Sequence, residues 1–225
     1  MNEDTWIVIA AYHEEKSITT VVENLREHNY TNIVVVDDGS EDNTLEEARN
    51  AGAISLQHLV NRGQGAALRT GMEYALQNNA EYIVHFDADG QHRVEDIPKM
   101  LEPIKTGSAD ITLGSRFLQK QHVPPAKKVV LKLGIIFQWV TTGAWLTDTH
   151  NGFRAMNRQA ASKLKIVQDR MGHATEIIEL IRRHKLRYKE VPVKIEYNEY
   201  AVSKGQRLRN AFNIAAKNIY HKFLK

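Results

Sequence analysis

Short apolar runs alternate regularly with helical patterns along the first half of the chain, and this alternation constrains the fold most. The run Ile33-Val34-Val35-Val36 is β-branched throughout, as expected for a strand buried on both faces of a sheet. The stretches between such runs repeat apolar residues with helical spacing. Strands and helices that alternate at short spacing predict a mainly parallel sheet with helices on both faces. The predicted strands of this half are residues 6–11, 33–36, 53–56, 81–86 and 110–116.

Length and composition favour one α/β domain of ordinary globular kind. The chain has 225 residues, of which 42% are hydrophobic and 25% are charged, so it can bury one sizeable core. It contains no cysteine, which excludes disulfides and thiolate metal sites. The first residues carry two acids and no basic region, so we expect no signal peptide. No run of about 18 apolar residues occurs, and we therefore expect no membrane-spanning helix.

Charged side chains follow the ends of several predicted strands. Ligands of open α/β sheets bind beyond the carboxyl ends of the strands, where such side chains would meet. One acidic strand end is weak support for a site, whereas a set of them describes a cleft for a nucleotide and a metal. The residues at these ends are Glu14, Asp38, Asp87, Asp89 and Arg116.

Asp87 and Asp89 are the centre of this set. They are two residues apart on an extended chain, so their side chains point the same way and can hold one cation. Mg²⁺ or Mn²⁺ suits this arrangement, because such ions bind one or two carboxylates together with substrate phosphates. The alternative is a solvated acidic turn with Gly90 at a positive φ, and the other charged strand ends favour the metal. We interpret His85 as a packed core histidine and His92 as a residue that lines the site.

Glycines precede the helix predicted at about residues 61–79. Gly63 and Gly65 would let backbone N–H groups come close to a ligand. Since the start of a helix favours negative charge, the sequence predicts an anion near this turn.

Basic residues dominate the chain after Arg116, which suggests a phosphate, an acidic lipid or a nucleic acid as partner. Residues 127–145 predict either a core helix or a helix lying at a membrane surface. Residues 205–225 predict a basic amphipathic helix that lies on anionic lipid, packs on the domain, or contacts a membrane-protein partner or a second subunit. We expect no nucleic acid, because the acids of the cleft would repel its backbone and no aromatic-and-basic signature is present.

Six motifs stand in order along the chain. They are Ala11-Tyr12-His13-Glu14, Val35-Val36-Asp37-Asp38-Gly39-Ser40, Asn61-Arg62-Gly63-Gln64-Gly65, Asp87-Ala88-Asp89-Gly90-Gln91-His92, Gly114-Ser115-Arg116-Phe117 and Asn151-Gly152-Phe153-Arg154. Together they resemble the family 2 glycosyltransferases of the GT-A fold, in the branch of dolichol-phosphate-mannose synthases and bacterial polyprenyl-phosphate glycosyltransferases. The resemblance implies one GT-A catalytic domain at residues 1–204, with a nucleotide-sugar half at 1–116 and an acceptor half at 117–204. The helix at 205–225 would follow it.

The resemblance also implies roles for individual residues. Tyr12, Glu14 and Asp38 would hold the base and ribose of a nucleotide sugar. The ligands of a Mg²⁺ or Mn²⁺ ion at the diphosphate would be Asp87, Asp89 and Gln91. The whole nucleotide-sugar set would be Ala11, Tyr12, Glu14, Val36, Asp38, Asn61, Gly65, Asp87 and Ala88. The acceptor-phosphate set would be Arg116, Lys128, Lys132, Arg154 and Lys204.

The chain departs from the family pattern mainly in the acceptor half. Lys128 and Lys132 stand where the family has a phosphate-binding arginine and serine, and the late Arg…Ser-Lys signature is only partly present around residues 203–207. In the first motif, Ala11 replaces a frequent proline and His13 a frequent asparagine. The resemblance therefore constrains the donor more than the acceptor.

The acceptor decides whether the reaction needs a base. A sugar hydroxyl must lose a proton, and Asp148 is the first candidate base and Glu176 the second. A lipid phosphate is already anionic, since its second pKa is near ~6, and needs positioning instead. In that case Asp148 would orient Arg154 or His150. Arg116 would supply positive charge to the leaving group.

We therefore predict an inverting glycosyltransferase that moves a hexose or N-acetylhexosamine from a nucleotide sugar, with UDP favoured, to a polyprenyl phosphate. Such an enzyme would be cytoplasmic and peripheral on the inner face of the cell membrane. The enzyme alternative is transfer to a saccharide hydroxyl in capsule or cell-wall glycan synthesis. The non-enzyme alternative is a nucleotide-binding or anionic-surface-binding module.

Overall fold

Seven strands and six α-helices form the part of the protein that the computed structural model describes, which is residues 2–118, 143, 146–148 and 151–196. The strands are β1 (Thr5–Ala11), β2 (Asn32–Asp37), β3 (Ile54–Gln57), β4 (Tyr82–His85), β5 (Ile111–Ser115), β6 (Arg154–Asn157) and β7 (Tyr188–Pro192). The helices are α1 (Ile18–Glu27), α2 (Thr44–Asn50), α3 (Gln64–Gln77), α4 (Ile97–Lys105), α5 (Arg158–Lys163) and α6 (His173–Arg183), and a 3₁₀ turn at Val94–Asp96 precedes α4.

The strands form one sheet in the order β3-β2-β1-β4-β6-β5-β7. Among the described strands β6 alone runs against the others, between β4 and β5, so the predicted mainly parallel sheet is confirmed. Because of this direction, β6 begins at the edge where β4 and β5 end. Arg154, its first residue, pairs with His85 on β4 and Leu113 on β5. The reversal thereby brings a motif of the second half of the chain to the edge that carries Asp87 and Arg116.

Helices cover both faces of the sheet, as predicted. Successive side chains of β1 point to opposite faces. Ile7 and Ile9 belong to a core that includes residues of α1, α2 and α4, whereas Trp6 and Val8 belong to a second core with residues of α3, α5 and α6. Burying one such aliphatic side chain contributes about 1.5–3 kcal/mol, so two cores of this size hold the edge of the sheet in a fixed shape.

Most predicted elements agree with the structure to within a few residues. The short helix α5 is not among the predicted helices, and the Asn157 side chain caps it by accepting the Ala160 N–H at 2.8 Å. β7 is shorter than the strand predicted over residues 187–196. Its ladder with β5 ends at Pro192, opposite the last residue of β5, Ser115, whose carbonyl accepts the Val193 N–H at 3.1 Å. Ile195 then forms an isolated bridge with His92.

Several predicted features lie outside the described residues. These are nearly all of the helix predicted at 127–145, the helix at 205–225, the boundary at 204, and the side chains of Lys128, Lys132, His150 and Lys204. Within the described ranges, no helix combines the length and the apolar character needed to cross a membrane.

Candidate active site

Asp38, at the end of β2, holds a neighbouring loop of the sheet edge. Its carboxylate accepts hydrogen bonds from the backbone N–H groups of Arg62 (3.0 Å) and Gly63 (2.5 Å), and its Oδ1 lies 2.7 Å from His58 Nδ1. Hydrogen bonds to an ionised carboxylate are stronger than those between neutral groups. Asp38 therefore fixes the loop that contains Asn61, another residue of the predicted nucleotide set.

The start of α3 is covered by the protein's own chain at residues 168–170. The Ala66 N–H donates to the carbonyl of Asp169 at 2.9 Å, and a Cβ added at Gly65 would collide with the carbonyl of Gln168. The structure explains Gly65 by the backbone that packs against it, and it gives the Ala66 N–H an acceptor within the protein. An anion at this turn stays a prediction.

Glu176 holds the same covering segment in place. Its Oε1 and Oε2 accept hydrogen bonds from the backbone N–H groups of Val167 (2.9 Å) and Gln168 (2.8 Å). The Asp169 carboxylate then joins this segment to α3 through an ion pair with Arg69 at 3.0 Å. Both oxygens of Glu176 bind backbone, so the structure gives this residue a role in positioning a loop, which differs from the role of a general base.

Tyr12 and Glu14 follow the end of β1. Tyr12 is 44% exposed, and its ring packs edge-on against that of His13 with the centroids 4.1 Å apart. The Glu14 carboxylate accepts the hydroxyl of Ser17 at 2.8 Å, which ties it to the start of α1. An exposed aromatic ring at this edge offers a surface on which a base can stack. Three further residues of the predicted nucleotide set are buried: Ala11 and Val36 at the ends of β1 and β2, and Ala88 beyond the end of β4.

Asp87 is held from several sides just beyond β4. His92 Nε2 lies 2.8 Å from its Oδ2, and the Gln64 amide reaches Oδ1 at 3.5 Å. Both carboxylate oxygens lie against Gly152, where an added Cβ would be 2.5 Å from each. Only a glycine permits so close an approach, which explains the glycine of the motif at residues 151–154.

Aromatic packing fixes the ring of His92. Its centroid lies 5.4 Å from the ring of Phe86 and 4.9 Å from that of Phe153. The structure therefore places His92 beside Asp87, at the site, as interpreted from the sequence. His85 is buried in the core, where burial lowers its pKa to about 3, and neither ring nitrogen has a hydrogen-bond partner among the described residues.

Asp87 and Asp89 interact electrostatically. Burial and the charge of Asp87 raise the pKa of Asp89, whose Oδ1 accepts the Gln91 N–H at 3.0 Å. Burial would also raise the pKa of Asp87, but His92 and Arg154 lower it below its usual value. A hard cation would relieve the repulsion between the two carboxylates, so this donor set fits one. Since the described residues contain no cluster of three acidic or histidine ligands, the other ligands would come from Gln91 and the substrate.

Arg154 is buried beside two carboxylates. Burial lowers its pKa, while the charges of Asp87 and Asp148 act in the opposite direction. Its Nη1 lies 3.5 Å from the carbonyl of Gly152. Because a guanidinium keeps its proton even when its pKa falls, Arg154 supplies fixed positive charge to the surroundings of Asp87 and Asp148.

Arg116 and Asp148 form a buried ion pair at the end of β5. Asp148 Oδ2 accepts hydrogen bonds from the Nε of Arg116 at 2.6 Å and from its backbone N–H at 3.1 Å. The side chains are 6% and 0% exposed. A carboxylate so buried and so engaged orients its arginine. This geometry gives Asp148 an orienting role toward Arg116, a partner that the sequence did not suggest, and Asp148 also interacts electrostatically with Arg154. His150, the other partner expected from the sequence, lies outside the described residues.

Two acidic residues of this edge were not predicted from the sequence. Asp169 covers α3, and Glu190 on β7 accepts the backbone N–H and the hydroxyl of Thr147 at 2.8 and 2.7 Å. Glu190 stands among charged, exposed residues of an edge strand, and its partner lies 43 residues earlier in the chain. Neither residue belongs to a local pattern, so only the tertiary structure reveals its contacts.

Comparison with known proteins assigns the family. The family described as Glycosyl transferase family 2 matches residues 6–165, well over half of the chain. The protein belongs to this family.

Two relatives place this family 2 glycosyltransferase in the polyprenyl-phosphate branch. The UDP-N-acetylglucosamine–dolichyl-phosphate N-acetylglucosaminyltransferase of Methanococcus voltae is 36% identical over 231 residues, which cover 93% of this chain and 92% of the relative. The polyprenol monophosphomannose synthase of Mycolicibacterium smegmatis is 29% identical over 229 residues, which cover 94% and 85%. The resemblance derived from the motifs is thereby confirmed.

A solved structure confirms the GT-A fold of this family 2 glycosyltransferase. It is the glucosyl-3-phosphoglycerate synthase of Mycobacterium tuberculosis, in complex with Mn²⁺, UDP-glucose and phosphoglyceric acid. The TM-score is 0.71 at 18% identity, over 96% of this chain and 77% of that one. The sequences have diverged widely, so the likeness concerns the fold.

Proposed function

We propose that this glycosyltransferase moves a hexosyl or N-acetylhexosaminyl group from a nucleotide sugar, with UDP favoured, to a polyprenyl phosphate. The observation that carries the proposal is the meeting of Asp87 and Asp89 with the buried cations Arg154 and Arg116 at one edge of the sheet. Such an edge suits two phosphate-bearing substrates, one bound through a cation and one through arginines. The two relatives are named for dolichyl phosphate and for polyprenol monophosphomannose, which supports the lipid acceptor.

On the donor side, Asp87, Asp89 and Gln91 would hold Mg²⁺ or Mn²⁺ at the diphosphate. When bound, the ion would neutralise the charge that builds on the leaving nucleotide diphosphate. The structural neighbour contains Mn²⁺ with UDP-glucose, which supports a divalent ion. The base, ribose and sugar would be bound by Ala11, Tyr12, Glu14, Val36, Asp38, Asn61 and Ala88.

Arg116 would add positive charge to the phosphates. Asp148 holds both its Nε and its backbone N–H, so the guanidinium needs little reorganisation during the reaction. Arg154 would balance the two carboxylates next to it. Attack by the acceptor from the face opposite the leaving diphosphate would invert the anomeric carbon.

The state of the two candidate bases favours an acceptor that brings its own negative charge. Asp148 is buried against Arg116, and Glu176 binds backbone with both oxygens. A phosphate monoester is already anionic, since its second pKa is about 6, and needs no base. A saccharide hydroxyl would need one, so this observation supports the lipid phosphate.

A lipid acceptor would make the enzyme a peripheral protein on the inner face of the cytoplasmic membrane. The acceptor half, with Lys128, Lys132 and Lys204, would bind the lipid phosphate. The basic helix predicted at residues 205–225 would contact anionic lipid, a membrane protein or a second subunit.

A donor and acceptor panel tests the proposal. The protein is incubated with Mn²⁺, one of several UDP- or GDP-sugars and detergent-solubilised polyprenyl phosphate, and glycolipid and released nucleotide are measured. Wild type should form glycolipid with at least one donor, and a chelator should stop this reaction.

Asp89→Ala should lower turnover about 100-fold, because one of two carboxylate ligands is lost. Glu23→Ala, at an exposed position of α1, should leave turnover unchanged.

Two results would contradict the proposal in different ways. Transfer to a saccharide with no use of the lipid would make the acceptor wrong and leave the donor half intact. Stabilisation by a nucleotide without transfer to any acceptor would favour the nucleotide-binding module.

A further inference from the structure

One carboxylate on the edge strand β7 restrains the loop that carries Asp148. Glu190 Oε1 accepts hydrogen bonds from the Thr147 N–H (2.8 Å), the Thr147 hydroxyl (2.7 Å) and the Asp148 N–H (3.3 Å). Its Oε2 lies 3.0 Å from the same Thr147 nitrogen. Glu190 therefore holds the backbone of two successive residues together with a side chain.

The Thr147 hydroxyl extends this contact to β5. An ionised carboxylate only accepts, so the single hydroxyl proton of Thr147 goes to Glu190. The Ser115 hydroxyl must then donate to Thr147 Oγ1, 2.6 Å away, and its own oxygen accepts the Phe117 N–H at 3.3 Å. Ser115 and Phe117 flank Arg116 in the sequence. The hydrogen bonds that begin at Glu190 thus reach both chain neighbours of the arginine.

The same carboxylate reaches Arg116 by a second route. The Asp148 N–H is one of the donors to Glu190, and Asp148 Oδ2 accepts both the Nε and the backbone N–H of Arg116. A shift of the loop would therefore move the buried carboxylate and the arginine together. A displacement of about 1 Å in such a group can cost about 100-fold in rate.

We infer that Glu190 is a positioning residue that sets the place of Arg116 through Thr147 and Asp148. Its effect on turnover rests on the proposed function, in which Arg116 meets phosphate. Its effect on the conformation of Arg116 does not, so the two can be tested separately.

The conformation is read by NMR of protein labelled with ¹⁵N-arginine. The Arg116 Nε–H, 2.6 Å from a buried carboxylate oxygen, should give a resonance that exchanges slowly with water, and Arg116→Lys identifies it by removing it. Glu190→Ala should shift this resonance and speed its exchange about tenfold or more, because a charge-assisted network is lost. Glu190→Gln, which keeps the size and one accepting oxygen, should act in the same direction with a smaller effect. Glu23→Ala is the matched control and should leave the resonance in place.

Turnover is then compared across the same variants. Glu190→Ala should lower kcat/KM about 10- to 100-fold. The rise in Tm with Mn²⁺ and nucleotide should persist, since the donor carboxylates are untouched. In an Arg116→Lys background, Glu190→Ala should cost little further activity, because both changes act through one group.

Each outcome decides the inference. An unmoved Arg116 resonance in both Glu190 variants overturns it, as does a moved resonance with unchanged kcat/KM in an active enzyme. If Glu190→Ala lowers kcat/KM equally in the wild-type and in the Arg116→Lys background, the loss reflects general destabilisation, and the inference is also overturned. If Glu190→Ala does not fold, Glu190→Gln provides the comparison. If wild type transfers sugar to no lipid phosphate, the proposed function fails, and the resonance alone decides whether Glu190 positions Arg116.

Discussion

Asp87 shows how single residues prepare this site. Its oxygens lie against Gly152, His92 Nε2 approaches within 2.8 Å, and Arg154 lowers its pKa. A ligand that is already fixed loses little freedom when it binds a cation, so more of the interaction energy becomes affinity. The surroundings of Asp87 thus matter as much as the carboxylate itself.

Replacement of His92 tests this arrangement. His92→Phe keeps an aromatic ring between Phe86 and Phe153 and removes the nitrogen near Asp87. We expect the affinity for Mn²⁺ in the presence of UDP to fall about 10- to 100-fold, as when a partner of a metal-ligating group is lost. Isothermal titration calorimetry measures the affinity, and near-UV circular dichroism reports whether the packing is kept.

A matched control separates this effect from the loss of any histidine. His184→Phe, at an exposed position after α6, should leave the Mn²⁺ affinity unchanged. Unaltered affinity in His92→Phe would show that Asp87 needs no support from the imidazole.

At the scale of elements, the sequence reveals most of the strands and the edge at which the site lies. The β-branched run of β2 and the acids after β2 and β4 are local patterns, and local patterns carry strand periodicity and strand ends. The direction of β6 cannot be predicted in this way, because the pairing of a strand of only four residues depends on its neighbours in the folded protein. The same holds for the turn at Gly65, because the Gln168 carbonyl that packs against this glycine comes from a distant segment of the chain.

The roles of the carboxylates also divide into those that a local sequence pattern predicts and those that depend on tertiary contacts. Asp87 and Asp89 can be predicted because they share one short motif. The engagement of Asp148 with Arg116, of Glu176 with residues 167–168, and of Glu190 with Thr147 depends on contacts between distant segments. No spacing in the sequence distinguishes a carboxylate that accepts backbone N–H groups from one that accepts a proton.

Helix α3 lies unusually close to the sheet at one position. A Cβ added at Gly71 would be 2.5 Å from the Cγ1 of Val8 on β1. We expect Gly71→Ala to reduce the free energy of unfolding by about 1–3 kcal/mol, because overpacking outweighs the gain in helix propensity. Urea denaturation measures it, with Glu73→Ala on the exposed face of the same helix changing stability by less than about 0.5 kcal/mol.

The close contact between position 71 and Val8 leads to a further prediction for the double variant. Val8→Ala should offset part of the loss in the Gly71→Ala background, since it removes the methyl groups that the new Cβ would meet. Simple additivity of the two losses would show that the helix can move away from β1 at little cost.

For the molecule as a whole, two buried histidines couple folding to pH. Burial lowers the pKa of His85 to about 3 and that of His173 to about 4. Both are therefore neutral in the folded protein at pH values where the unfolded chain, with a histidine pKa of about 6.5, binds protons. The unfolded state takes up more protons as the pH falls below about 6.5, so stability decreases in that direction.

We expect the free energy of unfolding to fall by about 1 kcal/mol per pH unit for each of these histidines between about pH 6 and pH 4. Carboxyl groups with lowered pKa, such as Asp87, act only near and below about pH 4, where the unfolded carboxyls take up protons. The raised pKa of Asp89 would increase the stability of the folded state as the pH falls, which opposes the effect of the histidines. The measurement is therefore made in an Asp89→Asn background. Urea unfolding at successive pH values gives the slope.

Substitutions of the two histidines test whether they cause the pH dependence of the free energy of unfolding. His173→Asn retains an N–H donor for the carbonyl of Arg170, and His85→Leu replaces a buried ring whose nitrogens have no hydrogen-bond partner among the described residues. Each substitution should therefore remove about half of the pH dependence. His184→Asn, on the surface, should leave it unchanged. A slope that survives both buried substitutions would place the coupling in other groups. It would also mean that these two histidines bind protons in the folded protein over the same pH range as in the unfolded chain.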